Sequence, residues 1–290
     1  MTVTDPKESL DPQAPVETPT SVPDAWKRPG SVVASYMQKG GTGKSEVTKG
    51  TAKELDRFEV PTVSLDLDPH GVLTAGLGQP LVESEANLAN LLTGRWQGSI
   101  LDLVVERQGI LLVPSNVDMA LVEQDLASVR FREERLRTAI RPLLERYNVL
   151  LDCPNNPGLL NDNALIAAAS ESGESRRRGG LVIVMQLEGS SMHALELLLD
   201  QVDSINQATR YHVELLGWVG NQVDNRTSIV SKTRNDLSGL PLEPLGEIPV
   251  RTVIKNAWAE GKLVEQYDPR SPVHHYFRRV AHNVLRRIHE

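Results

Sequence analysis

The apolar and polar positions divide the chain into a polar start and an alternating remainder. Residues 1 to about 30, opening "MTVTDPKESLDPQAPVETPTSVPD", are rich in Pro, Thr, Ser and acids and show no apolar period. Too little apolar surface to offset the entropy of ordering predicts a disordered tail over 1–30. From Ser31 onward, strand-like runs alternate with helical spacings. "SVVASYM" reads as a strand, and Val47, Thr51, Leu55 and Phe58 recur at helical spacing in "SEVTKGTAKELDRF". "VPTVSLDLD" follows as a second strand, so residues 31–68 form one βαβ unit with a glycine-rich loop at its first turn. Later strands are expected in "GILLVPS", "YNVLLDC", "LVIVMQ" and "VELLGWVG". Helices are expected over 117–128 and 133–147, and in "GLLNDNALIAAA", "SMHALELLLDQVDSI" and "PVHHYFRRVAHNVLRRI". This alternation predicts an α/β fold: a mostly parallel, twisted sheet with helices on both faces, in a single domain over 31–290.

Composition narrows the class. Of 290 residues 40% are hydrophobic but only 4% aromatic, which fits a core of aliphatic side chains such as buried parallel strands provide. A single cysteine, Cys153, excludes an internal disulfide and fits a reducing, cytoplasmic setting. The N-terminus lacks the apolar stretch of a secretory signal, and runs such as "LVIVM" and "ALIAAA" are too short to span a bilayer. Net charge is −7, yet from Ile205 to Glu290 twelve Lys/Arg face nine Asp/Glu. That asymmetry points to a basic face on an acidic protein.

The chemistry gathers in "YMQKGGTGKSEV". Gly43-Lys44-Ser45 closes a phosphate-binding loop, although Gln38 stands where the usual pattern has its first glycine and a second lysine, Lys39, comes before Gly40 and Gly41. A glycine-rich turn leading into a helix N-terminus presents backbone N–H groups to an anion. Lys44 would reach the outer phosphates and the Ser45 hydroxyl would bind Mg²⁺. Carboxylates at strand tips supply the remaining metal oxygens, and two strands end that way: "SLDLDPHG" with Asp66 and Asp68, and "VLLDCPNNPG" with Asp152.

"KGGTGKS", "DLDPHG" and "DCPNNPGLLNDNAL" resemble the three ATP-site motifs of the ParA/MinD family of deviant-Walker P-loop ATPases, most closely its ParA DNA-partition branch. "LLVPSN", "GNQVDNRT", "GEIPVRT" and "EGKLVEQYDPRS" follow in the expected order, so the resemblance runs from about Ser31 to the C-terminus. It implies ATP and Mg²⁺ as cofactors and an ATP-bound homodimer in which Lys39 crosses to the partner's nucleotide while Lys44 serves its own. It further implies Asp68 beside the attacking water and Mg²⁺, Asp152 on Mg²⁺ through water, Asn221 reading adenine and Pro249 walling the base. The nucleotide set is then Gly40, Gly41, Thr42, Gly43, Lys44, Ser45, Glu46, Asn221 and Pro249; the metal set is Ser45, Asp68 and Asp152; the catalytic set is Lys39, Lys44 and Asp68. One departure stands out: the family's Thr-Thr after the loop lysine is here Ser45-Glu46, which keeps the metal hydroxyl but puts a carboxylate near the α-phosphate.

The resemblance also implies non-specific DNA binding on the nucleoid, with release on hydrolysis stimulated by a ParB-like or adaptor partner. Candidate phosphate contacts are Arg226, Lys232, Arg234, Arg251, Lys255 and Lys262, and a further run, Arg176 to Arg178, interrupts the pattern. Two rivals stand beside this reading. One is a MinD-like membrane-positioning ATPase using the basic amphipathic C-terminal helix, whose apolar face is read instead as core-facing. The other is a non-hydrolysing ATP-dependent scaffold or regulator. Iron–sulfur relatives of the loop need bridging cysteines that this chain lacks.

Overall fold

The computed structural model describes residues 19–81, 83–171 and 179–290, so the Arg176–Arg178 run and the first part of the expected tail lie outside it. The opening unit runs β1 (Val32–Tyr36), α1 (Lys44–Arg57) and β2 (Thr62–Asp66), as the periodicity predicts. Then come α2 (Val72–Gly76), α3 (Leu88–Thr93), β3 (Val105–Arg107), β4 (Ile110–Val113), α4 (Val122–Leu126), α5 (Arg135–Ala139) and α6 (Arg141–Leu144). The middle carries β5 (Asn148–Asp152), α7 (Leu159–Ala168), the short β6 (Ser170–Glu171), β7 (Gly179–Met185) and α8 (Gly189–Ala208). The chain closes with β8 (Tyr211–His212), β9 (Leu215–Val223), α9 (Ser228–Ser238), β10 (Pro244–Pro249), α10 (Thr252–Ala259), α11 (Val264–Tyr267) and α12 (His274–His289).

Eight strands form one sheet in the order β10-β9-β7-β1-β5-β2-β4-β3. Every neighbouring pair is parallel except β3–β4. Alternate residues of each central strand feed opposite cores. Val32, Ala34 and Tyr36 of β1 join Leu181, Ile183 and Met185 of β7 on one face, with α7 and α8. Val33, Val182 and Val184 face the other way, toward α1 and α12. A strand buried on both faces must be apolar throughout, which is why these segments read as continuous runs.

The C-terminal helix is core-facing, as expected. Phe277, Val280, Val284 and Leu285 are buried, in one apolar cluster with Val47 and Leu55 of α1 and Leu245 and Ile248 of β10. Among the described residues no helix is long and apolar enough to cross a membrane.

Three expectations differ in detail. The helix expected over 133–147 is split between α5 and α6, because Pro142 lacks a backbone N–H and is tolerated only in the first turn of a new helix. The helix expected over 117–128 is a 3₁₀ turn at Val117–Leu121 followed by α4. Part of the expected tail packs on the domain: Val22 is buried and the Trp26 ring stacks on His289 at 5.8 Å between centroids. Two aromatic contacts to α12, the second from Trp26 to His282 at 5.5 Å, supply the apolar burial that composition averaged over 1–30 concealed.

Candidate nucleotide site

All the motif residues fall at the carboxyl edge of the sheet, around its central strand β1, where open α/β sheets place their ligands. The loop after β1 ends at Gly43, which sits at φ 80° just ahead of α1. A Cβ at this position would overlap the Asn221 amide nitrogen, so glycine is required for both space and backbone conformation. Asn221, at 3% exposure on β9, donates from Nδ2 to the Thr42 carbonyl at 2.8 Å and braces the loop from outside. Gln222, next along, donates to the Gly41 carbonyl at 3.3 Å.

Opposite the loop, β2 and β5 set two carboxylates side by side, with Asp66 and Asp152 in register. Asp66 is already occupied. Its Oδ2 accepts from the Thr74 amide at 2.8 Å and the Thr74 hydroxyl at 2.7 Å, and its Oδ1 accepts from the Asp68 amide at 3.1 Å. It therefore shapes the turn that presents Asp68. Burial pushes the Asp66 carboxyl up to about 6 despite these bonds. Asp152 is fully buried. It accepts from Thr48 Oγ1 at 3.4 Å through Oδ1, while Oδ2 has no partner among the described residues. Burial, reinforced by the charge on Asp66, pushes Asp152 up to about 8, and the nearby Ser45 hydroxyl and Lys44 ammonium oppose the rise. Asp68 accepts from the His70 amide at 2.9 Å and is 6% exposed.

Lys44 points into the cleft and bonds Asn155 Oδ1, in the loop after β5; its burial pulls the ammonium pKa down. Asn155 is a site residue that the sequence reading passed over, although it lies inside the quoted "DCPNNPG". Lys39 goes elsewhere. Its ammonium pairs with Glu188 and donates to Ser190 Oγ at 2.8 Å, at the start of α8.

The cleft has a volume of about 450 Å³. Gly41, Gly43, Lys44 and Ser45 line its phosphate end, while Val72, Pro249, Val250, Ile254 and Trp258 give it an apolar wall. Glu46, Asp68, Asn155 and Asn221 also line it. Gly40 and Thr42 do not line it: Gly40 is exposed on the loop, and Thr42 is fully buried with its hydroxyl unpartnered among the described residues. Of the basic residues expected on DNA, Arg251 and Lys255 line the mouth of this cleft. Arg234 is engaged by Glu247 through two contacts of 2.8 Å, Arg226 by Asp224 at 2.7 Å and Lys262 by Glu260 at 2.6 Å. Lys232 is exposed on α9.

These residues fit Mg²⁺-ATP. A positive, N–H-rich end meets an apolar end in a volume suited to a nucleotide, and the unpartnered Asp152 oxygen beside Ser45 supplies the hard-oxygen chemistry Mg²⁺ takes, directly or through water.

Comparison with known proteins agrees. The AAA_31 family, described as an AAA domain, matches residues 30–215. The chromosome-partitioning ATPase Soj of Thermus thermophilus is 30% identical over 265 residues, covering 89% of this chain and 96% of Soj. The chromosome partitioning protein ParA of Myxococcus xanthus is 27% identical over 249 residues, covering 85% of this chain and 84% of ParA. A cobyrinic acid a,c-diamide synthase structure from Mycobacterium smegmatis, with bound ATP analogue and magnesium, superposes with a TM-score of 0.68 at 26% identity, covering 79% of this chain and 91% of that one. With the loop, the paired carboxylates and the strand order all in place, the chain belongs to the ParA/MinD family of P-loop ATPases, close to its ParA-type members, and takes ATP and Mg²⁺ as cofactors.

Proposed function

We propose that this protein is an ATP-hydrolysing partition switch: a homodimer in the ATP state that binds DNA without sequence preference and leaves it after hydrolysis. The observation that carries the reading is the divergence of the two loop lysines. Lys44 lines its own cleft, whereas Lys39 lies outside the lining and is held by Glu188 and Ser190 at the start of α8. A loop lysine that does not serve its own nucleotide is available to a second copy's. A cation brought to the transferring phosphoryl group from another subunit stabilises developing charge and makes assembly depend on the outer phosphate. Bound Mg²⁺ would neutralise phosphate charge, with Ser45, Asp68 and Asp152 as its protein-side oxygens. Asp68, at the tip of the turn that Asp66 shapes, would orient the attacking water.

The DNA arm of the proposal rests on the basic C-terminal third and on the partition proteins among the relatives. A ParB-like or adaptor protein would stimulate release, and the nucleoid would be the place of action. Burial of the α12 apolar face argues against a membrane role for that helix. The test is binding to random-sequence duplex DNA with Mg²⁺-ATP, with Mg²⁺-ADP and without nucleotide, across a salt series, for wild type and Lys39→Ala. Binding with ATP alone, steeply weakened by salt and lost in the variant, is expected. Equal binding in all three nucleotide states would sink the switch.

A further inference from the structure

The cleft holds a carboxylate where a phosphate-binding loop has little use for one. Glu46 follows Ser45 on α1 and lines the cleft along with the loop residues of the phosphate end and the residues of the apolar wall. Its side chain is only 10% exposed, and Oε2 is enclosed on the Lys49 side with no hydrogen-bond partner among the described residues. One turn along, Lys49 Nζ lies 3.4 Å from that oxygen, an ion-pair distance without hydrogen-bond alignment. Lys49 is itself 1% exposed and is not part of the cleft lining. Its ammonium is held by the Lys262 carbonyl at 3.2 Å and the Gly76 carbonyl at 3.5 Å, and stands 4.2 Å from the centre of the Trp258 ring.

Trp258 is braced from a second side. Its six-membered ring edge rests on Gly76, where a Cβ would come within 2.6 Å of Cη2. The half-buried ring is thus fixed between the end of α2 and the Lys49 ammonium, and its remaining surface belongs to the cleft wall. A fixed aromatic face is a stacking platform for any purine, because every base presents a π-face.

We propose that Glu46, Lys49 and Trp258 form the nucleoside-recognition subsite of this cleft: Trp258 stacks on the base, and the Glu46 carboxylate accepts hydrogen bonds from the ribose hydroxyls. The proposal rests on the reading of the cleft as an ATP site. The chemistry follows from position. A carboxylate next to the phosphate end repels an anion, so its useful neighbour is a neutral donor. In a nucleoside triphosphate the group between phosphate and base is the sugar, whose hydroxyls are such donors. Lys49 offsets the charge that Glu46 would otherwise bring to the phosphates, and joins the loop helix to the Trp258 wall. A site that places an acceptor for a hydroxyl rejects the analogue lacking it, because the buried acceptor is then left unpaired.

The test is calorimetric binding of Mg²⁺-ATP, 2′-deoxy-ATP and 3′-deoxy-ATP to the full chain, for wild type, Glu46→Gln, Glu46→Thr, Trp258→Leu and Lys44→Ala, each checked for folding by circular dichroism. Wild type is expected to prefer ATP over at least one deoxy analogue by roughly tenfold or more. In both Glu46 variants that preference should shrink to within about twofold. Trp258→Leu should weaken all three nucleotides alike, by roughly tenfold, and leave the ribose preference intact. Equal binding of ATP and both deoxy analogues by wild type, or an unchanged preference in the Glu46 variants, would overturn the ribose arm. Undiminished affinity in Trp258→Leu would overturn the stacking arm. A Lys44→Ala protein that binds ATP as wild type does would instead show that the nucleotide does not sit in this cleft, and would overturn the proposal together with the reading beneath it.

Discussion

The Lys39 ammonium is paired with the Glu188 carboxylate, across the gap between the phosphate loop and the start of α8. The bond from Lys39 also holds the Glu188 carboxyl below its ordinary pKa. Both partners are partly exposed, at 21% and 43%, so the pair is weak and can be exchanged for a phosphate contact at small expense. Glu188→Gln should therefore favour ATP-dependent self-association, lowering the concentration for half-dimerisation by up to roughly fivefold. Lys39→Ala should abolish it. Sedimentation equilibrium with Mg²⁺-ATP decides between these outcomes, and an unchanged Glu188→Gln protein would mean the pair does not restrain Lys39.

Asp152 predicts a pH dependence whose sign is fixed. Its carboxyl titrates at about 8 in the folded chain, against an ordinary 3.8. The native state binds this proton more tightly than the unfolded chain does. Stability should then be fullest below the unfolded value, fall as pH rises from about 4 to about 8, and level off beyond. Asp152→Asn removes that dependence. At pH 8 its Tm should exceed wild type by about 2–4 °C or more, with little difference at pH 4, while Mg²⁺ no longer enhances nucleotide binding. Thermal scans across pH with and without Mg²⁺-ATP test both halves.

Gly43→Ala places a methyl against Asn221 and forces an L-residue to φ 80°. The left-handed conformation alone costs about 1–2 kcal/mol. ATP affinity should drop by at least roughly tenfold, as titration calorimetry would show. Asn221→Ala, which makes room but removes the 2.8 Å brace to Thr42, should not restore it in the double variant.

The basic residues should separate in a DNA-binding series. Lys232 is exposed, and Lys232→Ala should reduce the salt slope of DNA binding by about one while leaving the Tm alone. Arg234 is clamped to Glu247, so Arg234→Ala should change stability more than DNA affinity. Anisotropy titrations at several salt concentrations, paired with melting curves, resolve the two effects.

Phe277 lies under α1 at 3% exposure, so Phe277→Ala should cost about 3–5 kcal/mol in chemical unfolding. Liposome pelleting of wild type should be at background. Wild type that pellets with liposomes, together with a stable Phe277→Ala protein that does not, would reverse that picture and make α12 a membrane helix.

Some residues were legible because their constraint is local. Gly43, Lys44 and Ser45 must follow a strand and open a helix, and the chain shows that order in one dimension. Asp68 and Asp152 sit at the ends of apolar runs, so their place at the sheet edge followed from the runs themselves. The second half of the site was harder to see. β10 begins and ends with proline and has glycine within it, a composition that an edge strand tolerates but that carries no strand signal. With β10 unseen, α10 and its Trp258 had no visible relation to the phosphate loop.

The sequence by itself determined the α/β class, the phosphate loop and the identity of the acidic strand ends, because each depends on neighbours within a few residues. Only the tertiary structure decided which side chains meet around the loop and its helix. Asn155 on Lys44, Glu188 on Lys39, Asn221 under Gly43 and Lys49 between Glu46 and Trp258 all bring other segments to the loop and its helix. The physical reason is that a parallel sheet gathers the ends of strands far apart in sequence along a single edge, and the contacts made there depend on strand order rather than on chain order.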